Sequence, residues 1–221
     1  MSPEFQPSGA PSLLPAYAEL HCRTNFSFQV GASHAEELVA RAHALGYTAL
    51  AITDECSVAG LVRAHAEAKK LGLKLLAGSE FVLDGGDGRF RLIALAHNLK
   101  GWGALCTFIT AGRRAAPKGE YRLGWQDVTA DRLPDCELIL APDRLSRSAI
   151  TREALCDRLT LGRQQFGAHF WLAAELLHGL DDDLWLTQLE EASAATGVPL
   201  VAAGDVVMHV RSRKVDRKSV V

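Results

Sequence analysis

A chain of 221 residues with 48% hydrophobic content can bury one substantial core, and an α/β barrel of this length is one domain. A formal net charge of -2 and a pI near 6.4 exclude a global basic footprint, so any contact with nucleic acid has to come from a local patch or a neighbouring domain. The five cysteines, at Cys22, Cys56, Cys106, Cys136 and Cys156, are odd in number and lack a C-x-x-C pair, which argues against a disulfide framework or a structural zinc finger and fits a reducing cytoplasm.

Residues 1–16 carry Pro3, Pro7, Pro11 and Pro15 among Ser and Gly, without the basic start and apolar centre of a secretory signal, and read as a flexible leader. No apolar run approaches the roughly 18 residues of a membrane span, so no membrane partner is expected. Tyr17 to His21 predicts a first short strand. Ser33 and Glu36 have the S-x-x-E spacing of a capping box, which predicts a helix carrying Ala35, Leu38, Val39, Ala42 and Leu45 on one face and stopping at Gly46.

Thr48 to Thr53 predicts the second strand. A helix over Val58 to Leu71 follows, burying Val58, Leu61, Val62 and Ala68 and ending at Gly72, before a strand from Leu73 to Ala77. This places Asp54 and Glu55 in one acidic turn and Glu80 in another, both after strands and facing one rim, where parallel α/β folds keep their chemistry. Further strands are predicted at Phe90 to Ala96, Glu137 to Ala141, Phe170 to Ala174 and Pro199 to Ala203, with helices at Trp102 to Gly112 and Leu184 to Thr196. Gly85, Gly86 and Gly88 with Asp84 and Asp87 read as a hairpin-type turn, lacking the Lys and the helix of a phosphate loop. Ala115 to Arg132 reads as a surface excursion, and residues 211–221 as a basic tail or truncated linker without a periodic element. About seven strands with intervening helices indicate a barrel.

The strand ends collect Glu19, His21, Arg23, Asp54, Glu55, Glu80, Asp205 and His209. Histidine and carboxylate ligands suit zinc, manganese or iron, and such ions generate hydroxide for attack on a phosphoester. Plainer readings stand beside this one. For Asp54 the plainer reading is a cap on the helix after it. His65 reads as a packing residue, and His34, His43, His97 and His178 as surface residues. Trp102, Trp171 and Trp185 read as core or groove aromatics, Trp125 as a contact residue, and the basic run Arg211, Arg213, Lys214, Arg217 and Lys218 as a solvated end rather than a phosphate contact.

The stretches YAELHCRTNFSFQVGASHAEELVARAHALGY, Ile52 to Phe81, LIALAHNLKGWGALCTFIT, and FWLAAELLHGL through VPLVAAGDVVMHVRSRK resemble the polymerase-and-histidinol-phosphatase (PHP) domain. The version resembled is that of bacterial C-family DNA polymerase III alpha-like proteins, in the error-prone branch. The resemblance covers Tyr17 to Lys214, is weakest from Arg113 to Ala168, and sets the domain at 17–210. It implies a distorted seven-stranded (β/α) barrel. Metal-binding members carry H/D-x-H-x-H in the first motif, where this chain has Glu19, His21 and Arg23. The usual Asp-His pair is Asp54 and Glu55, Glu80 matches the next acidic ligand, Arg91 stands where a further histidine is expected, and the final Asp-x-His reads Asp205, Val206, Val207.

A guanidinium stays protonated and offers donors only, so Arg23 and Arg91 cannot ligate. His21, Asp54, Glu80 and Asp205 remain as a degraded metal set, with Glu19, Glu55 or His209 as substitutes. The expectation is that no cofactor is held, Zn, Mn or Mg being the candidates if the rim retains a site. Arg23 and Arg91 are expected to replace the metal's charge by pairing with Asp54, Glu80 and Asp205. By resemblance the chain is an N-terminal PHP fragment of an error-prone DNA polymerase used in damage-tolerant synthesis. It is structural, lacks the polymerase centre, is cytoplasmic, and has polymerase core domains or other damage-tolerance proteins as partners and DNA only indirectly. The alternatives are a free-standing metal-dependent phosphoesterase or 3'-5' exonuclease, and an inactive truncated product suggested by the tail VDRKSVV.

Overall fold

The computed structural model describes residues 16–83, 90–143 and 150–218. Seven strands among them form one sheet in sequence order: β1 (Ala18–Glu19), β2 (Ala49–Ile52), β3 (Lys74–Leu83), β4 (Phe90–Ala96), β5 (Cys136–Pro142), β6 (Phe170–Glu175) and β7 (Leu200–Ala203). A parallel bridge between Cys22 and Val206 joins the two edges, with the Arg23 N–H donating to the Val206 carbonyl at 2.8 Å and the Val206 N–H to the His21 carbonyl at 2.9 Å. The sheet is thereby a nearly closed barrel.

Helices α1 (Ala35–Ala44), α2 (Leu61–Leu71), α3 (Leu99–Arg114), α4 (Arg152–Phe166) and α5 (Asp182–Thr196) pack outside it. β1 to β3 are mutually parallel, as are β5 to β7, but β4 runs antiparallel to both neighbours. This reversal distorts the (β/α) pattern and puts the two ends of β4 at opposite mouths from those of an ordinary barrel strand.

The alternation of side chains along each strand divides the apolar residues between two faces. Ala51, Ile93, Leu95, Ile139, Ala141, Ala173 and Ala203 pack together as the barrel's own core. Leu92, Ala94, Leu138, Leu140 and Leu172 point outward beneath α3, α4 and α5, together with Phe81 and Phe170, and meet Phe108 of α3. A second outer cluster joins α1 and α2 to Leu50 and Ile52. Four alanines thus share the barrel's interior with Ile93, Leu95 and Ile139, and the buried phenylalanines lie in the helix layer.

All seven expected strands occur, as do four expected helices; α4 was not anticipated. Its apolar positions Leu155, Leu159 and Phe166 are interleaved with charges, and its fit depends on Gly162, where an added Cβ would lie 2.1 Å from Phe170. β3 extends six residues past Ala77, because β4 folds back and pairs Gly78 to Leu83 with Leu95 to Phe90. Glu80 is therefore inside a strand rather than in a turn. Gly46 and Gly72 stop their helices in the left-handed region, at φ 74° and 73°, where a side chain would be strained.

Several local expectations are corrected. Ser33 does not open a capping box: it is buried and bonded to His209, and the Glu37 carboxylate accepts the His34 backbone N–H at 2.9 Å. α2 begins at Leu61, and Val62 and His65 are exposed, because the buried stripe runs through Leu61, Ala64 and Ala68. The excursion after α3 returns Leu123, Val128 and Leu133 to the core, and Trp125 packs edge-on to Phe90 with Arg158 over its ring. Arg211 to Lys218 forms a 3-10 turn, with Arg213 donating to Glu37 at 2.5 Å. The leader through residue 15 and the Gly85–Gly88 turn lie outside the described residues.

Candidate functional site

Period-two alternation carries the barrel's interior columns out to one mouth as polar residues. Glu80 ends one column from β3, and Arg91 begins that of β4. Ile139 and Ala141 lead to Asp143, Trp171 and Ala173 to Glu175, and Val201 and Ala203 to Asp205. The segment after β1 adds His21 and Arg23. Asp205 adopts φ 47°, a left-handed conformation that Asp tolerates better than most residues and that turns the chain at this mouth.

His21 is fully buried and held from both sides. Its Nε2 lies 2.6 Å from Glu80 Oε2 and its Nδ1 2.5 Å from Glu175 Oε1. Burial opposes a charged ring, but the Glu175 and Glu80 carboxylates outweigh it and hold the His21 pKa up at about 10. Burial likewise works against ionised Glu80, and His21, Arg23 and Arg91 overcome it, bringing its pKa down to about 2. Both ring nitrogens are thus faced by carboxylates, and the charged ring donates an N–H to each.

Arg23 extends the chain of charges. One terminal nitrogen donates to Glu80 Oε1 at 3.0 Å and the other to Asp205 Oδ1. Arg91 donates to Asp205 Oδ2 at 3.3 Å and lies 3.5 Å from Asp143 Oδ2. Glu80, Glu175, Asp205 and Asp143 therefore face His21, Arg23 and Arg91 in one continuous network.

The other sequence-derived positions fall outside this network. Asp54 pairs with neither arginine and does not cap α2, whose N-cap is Gly60. Its carboxylate accepts the Thr24 N–H at 2.8 Å, the Ser27 hydroxyl at 2.7 Å and the Thr24 hydroxyl at 2.8 and 3.0 Å to its two oxygens, fastening the loop after β1. Burial raises its pKa despite these donors. Glu19 sits below His21 as a backbone staple, accepting the N–H groups of His21 at 2.8 Å and Gly204 at 2.9 Å and the Tyr17 hydroxyl at 2.9 Å.

Glu55 faces away from the network and accepts the Tyr121 hydroxyl at 2.8 Å, beside Arg113, Phe26 and Phe28 in a separate surface hollow. His209 bonds Ser33 at 2.7 Å and approaches Glu37 at 3.7 Å, fixing the segment after β7 to the start of α1. Among the described residues, His21, Asp54, Glu80 and Asp205 do not bring three ligand atoms to one ion position.

Glu175 and Asp143 were missed by reading the sequence. Both had a legible signal: each continues an interior column two residues beyond a small apolar residue, in W-L-A-A-E and I-L-A-P-D. Thr24 and Ser27 carried no signal, since their role depends on the distant Asp54.

This barrel, with its one reversed strand and its charged mouth, belongs to the PHP domain family, whose model matches residues 19–144. The particular version is apparent from its relatives. The chain is 47% identical over 220 residues to an error-prone DNA polymerase of Ralstonia nicotianae, and 46% identical over 213 residues to that of Bordetella parapertussis. These alignments cover 94% and 92% of the chain but 20% of each relative, so the chain spans about a fifth of the length of these polymerases and corresponds to their PHP portion.

Solved structures share the fold at low identity. A protein of Bifidobacterium adolescentis, described as a proposed metal-dependent phosphoesterase, superposes with a TM-score of 0.66 at 16% identity, covering 89% of each chain. An amidohydrolase of Chromobacterium violaceum, solved with bound sulfate and no metal, also has a TM-score of 0.66, at 17% identity over 87% of this chain and 88% of that one.

Proposed function

We propose that this PHP domain serves an error-prone DNA polymerase as a structural module without hydrolytic activity of its own, its ancestral metal mouth replaced by a network of fixed charges. The observation that carries this reading is the Arg23 guanidinium, which lies between Glu80 and Asp205 where a divalent ion would need their oxygens. A donor-only cation supplies the charge that would otherwise be missing but cannot polarise a water into hydroxide. The residues at this mouth do not fit a PHP metal centre: both His21 nitrogens are taken up by Glu80 and Glu175, Asp54 is engaged by three donor groups, and Arg23 and Arg91 occupy the space between the remaining carboxylates.

On this reading the domain at 17–210 acts in cis, supporting the polymerase core domains during damage-tolerant synthesis in the cytoplasm. Its partners are those core domains or other damage-tolerance proteins, and contact with DNA is indirect. No helix among the described residues is long and apolar enough to cross a membrane.

The test is hydrolysis by the purified 221-residue chain of a generic phosphomonoester and of single-stranded DNA, with Mn, Zn or Mg added. The expected result is no turnover above buffer with any of the metals. Metal-dependent turnover that disappears in Asp205→Asn, with the fold retained, would establish the phosphoesterase or exonuclease reading instead.

A further inference from the structure

The interior columns that end in the charge network also emerge at the opposite mouth, and there they carry a second cluster. The β4 column Arg91, Ile93, Leu95 continues to His97; the β5 column begins at Glu137; and the β6 column is preceded, two residues before Trp171, by His169. Leu95 pairs with Glu137 and Leu138 with Phe170, so the register of three adjacent strands brings these side chains together. His97 Nε2 lies 3.4 Å and His169 Nδ1 2.8 Å from Glu137 Oε1, and the three ligand atoms are all within 4.8 Å of one another.

The cluster is held in place from behind. The Trp171 indole N–H donates to the other Glu137 oxygen at 2.7 Å, and the His97 backbone N–H donates to the Asp135 carbonyl at 3.0 Å. Support of this kind orients ligands in metal sites. The imidazoles themselves are open, with side-chain exposures of 56% for His97 and 59% for His169. Among the described residues this is the one place where three such ligand atoms converge.

We propose that His97, Glu137 and His169 bind a single zinc ion, in a site distinct from the PHP mouth at the other end of the barrel. Two imidazoles and one carboxylate are a mixed N/O set suited to zinc, with a fourth position left for water. Tetrahedral zinc with bonds of about 2.0–2.1 Å sets its ligand atoms about 3.3 Å apart. His97 and Glu137 already have that separation. His169 has to withdraw from Glu137 by about half an ångström as the ion replaces the proton they share. The ion would tie together the end of β4, the start of β5 and the turn before β6, and so stabilise the folded barrel through binding linkage. No residue of the charge network takes part, so this inference is independent of the domain's catalytic status.

The experiment is zinc titration of the purified 221-residue chain against a chromogenic chelator, with thermal melts with and without zinc. The expected result is one equivalent bound at micromolar zinc and a rise in Tm that EDTA reverses. In a His97→Ala/His169→Ala double variant the affinity falls by more than about tenfold and the Tm shift disappears. Circular dichroism checks the fold of that variant, and Glu137→Gln, which keeps an acceptor for Trp171, should weaken binding while leaving the metal-free Tm close to that of the parent. Exposed His65→Ala should bind as the parent does. Failure to bind zinc at micromolar concentration, or undiminished binding in the double variant, would overturn the proposal.

Discussion

Arg23 donates to Asp205, a residue 182 positions further along the chain, and by doing so bridges the first and last strands of the barrel at its mouth. Its other terminal nitrogen is on Glu80, so one guanidinium joins three widely separated segments. The backbone closes the barrel beside it through the Cys22–Val206 bridge. Arg23 thus contributes to closure as well as to charge balance, and its side chain is only 5% exposed.

Replacing Arg23 with His tests both roles. A shorter ring cannot reach Glu80 and Asp205 together, and two carboxylates at a buried mouth then each lose a partner. Breaking such a pair costs about 3–5 kcal/mol. Urea denaturation of Arg23→His should show a loss of this order. Zinc content should be compared in a background that also lacks His97 and His169. A variant as stable as the parent that takes up an equivalent of zinc there would show that the mouth can still become a metal site.

The pH dependence of stability follows from His21 and Glu80. The folded His21 pKa of about 10 lies above the unfolded 6.5, so its contribution is complete below about pH 6.5 and is lost as pH rises through 10. Glu80, at about 2 against 4.5, contributes fully above about pH 4.5 and loses its contribution as pH falls through 2. These two groups together favour folding most between about pH 4.5 and 6.5. Denaturant midpoints measured across pH should decline on the alkaline side, and the decline should be smaller in His21→Gln. The His21 ring should remain protonated by NMR throughout the neutral range; titration near 6.5 would contradict the ion-paired arrangement.

Asp54 gives a prediction that separates loop anchoring from metal binding. Removing its carboxylate in Asp54→Ala leaves the Thr24 N–H and the Thr24 and Ser27 hydroxyls without their acceptor, at a cost of about 1–3 kcal/mol. The loss should appear equally in the presence and absence of added metal, and hydrogen exchange should accelerate at residues 24–31. A metal-dependent difference in stability that Asp54→Ala abolishes would assign the carboxylate to an ion.

Local chemistry made the strands and most helix limits legible. Gly46 and Gly72 stop helices, and apolar runs such as L-I-A-L-A can be buried on both faces of a sheet, so residue types alone locate these elements. α4 was hidden because its helical stripe includes Gly162, a residue that weakens helices in isolation and is used here for close approach to Phe170. That Arg23 and Arg91 cannot ligate a metal was also legible, since a guanidinium has no lone pair in any fold.

What the sequence determined by itself was the inventory: seven strands and a mouth rich in charge of both signs. Only the tertiary structure decided the pairing. Reversal of β4 moved Glu80 into a strand, register brought Glu175 to His21, and hydroxyls rather than an arginine satisfied Asp54. The same register joined His97, Glu137 and His169, whose positions in sequence carry no shared motif. Alternation along a strand is a local property and can be read from the chain. Which strand ends become neighbours depends on long-range hydrogen bonding, which no single segment encodes.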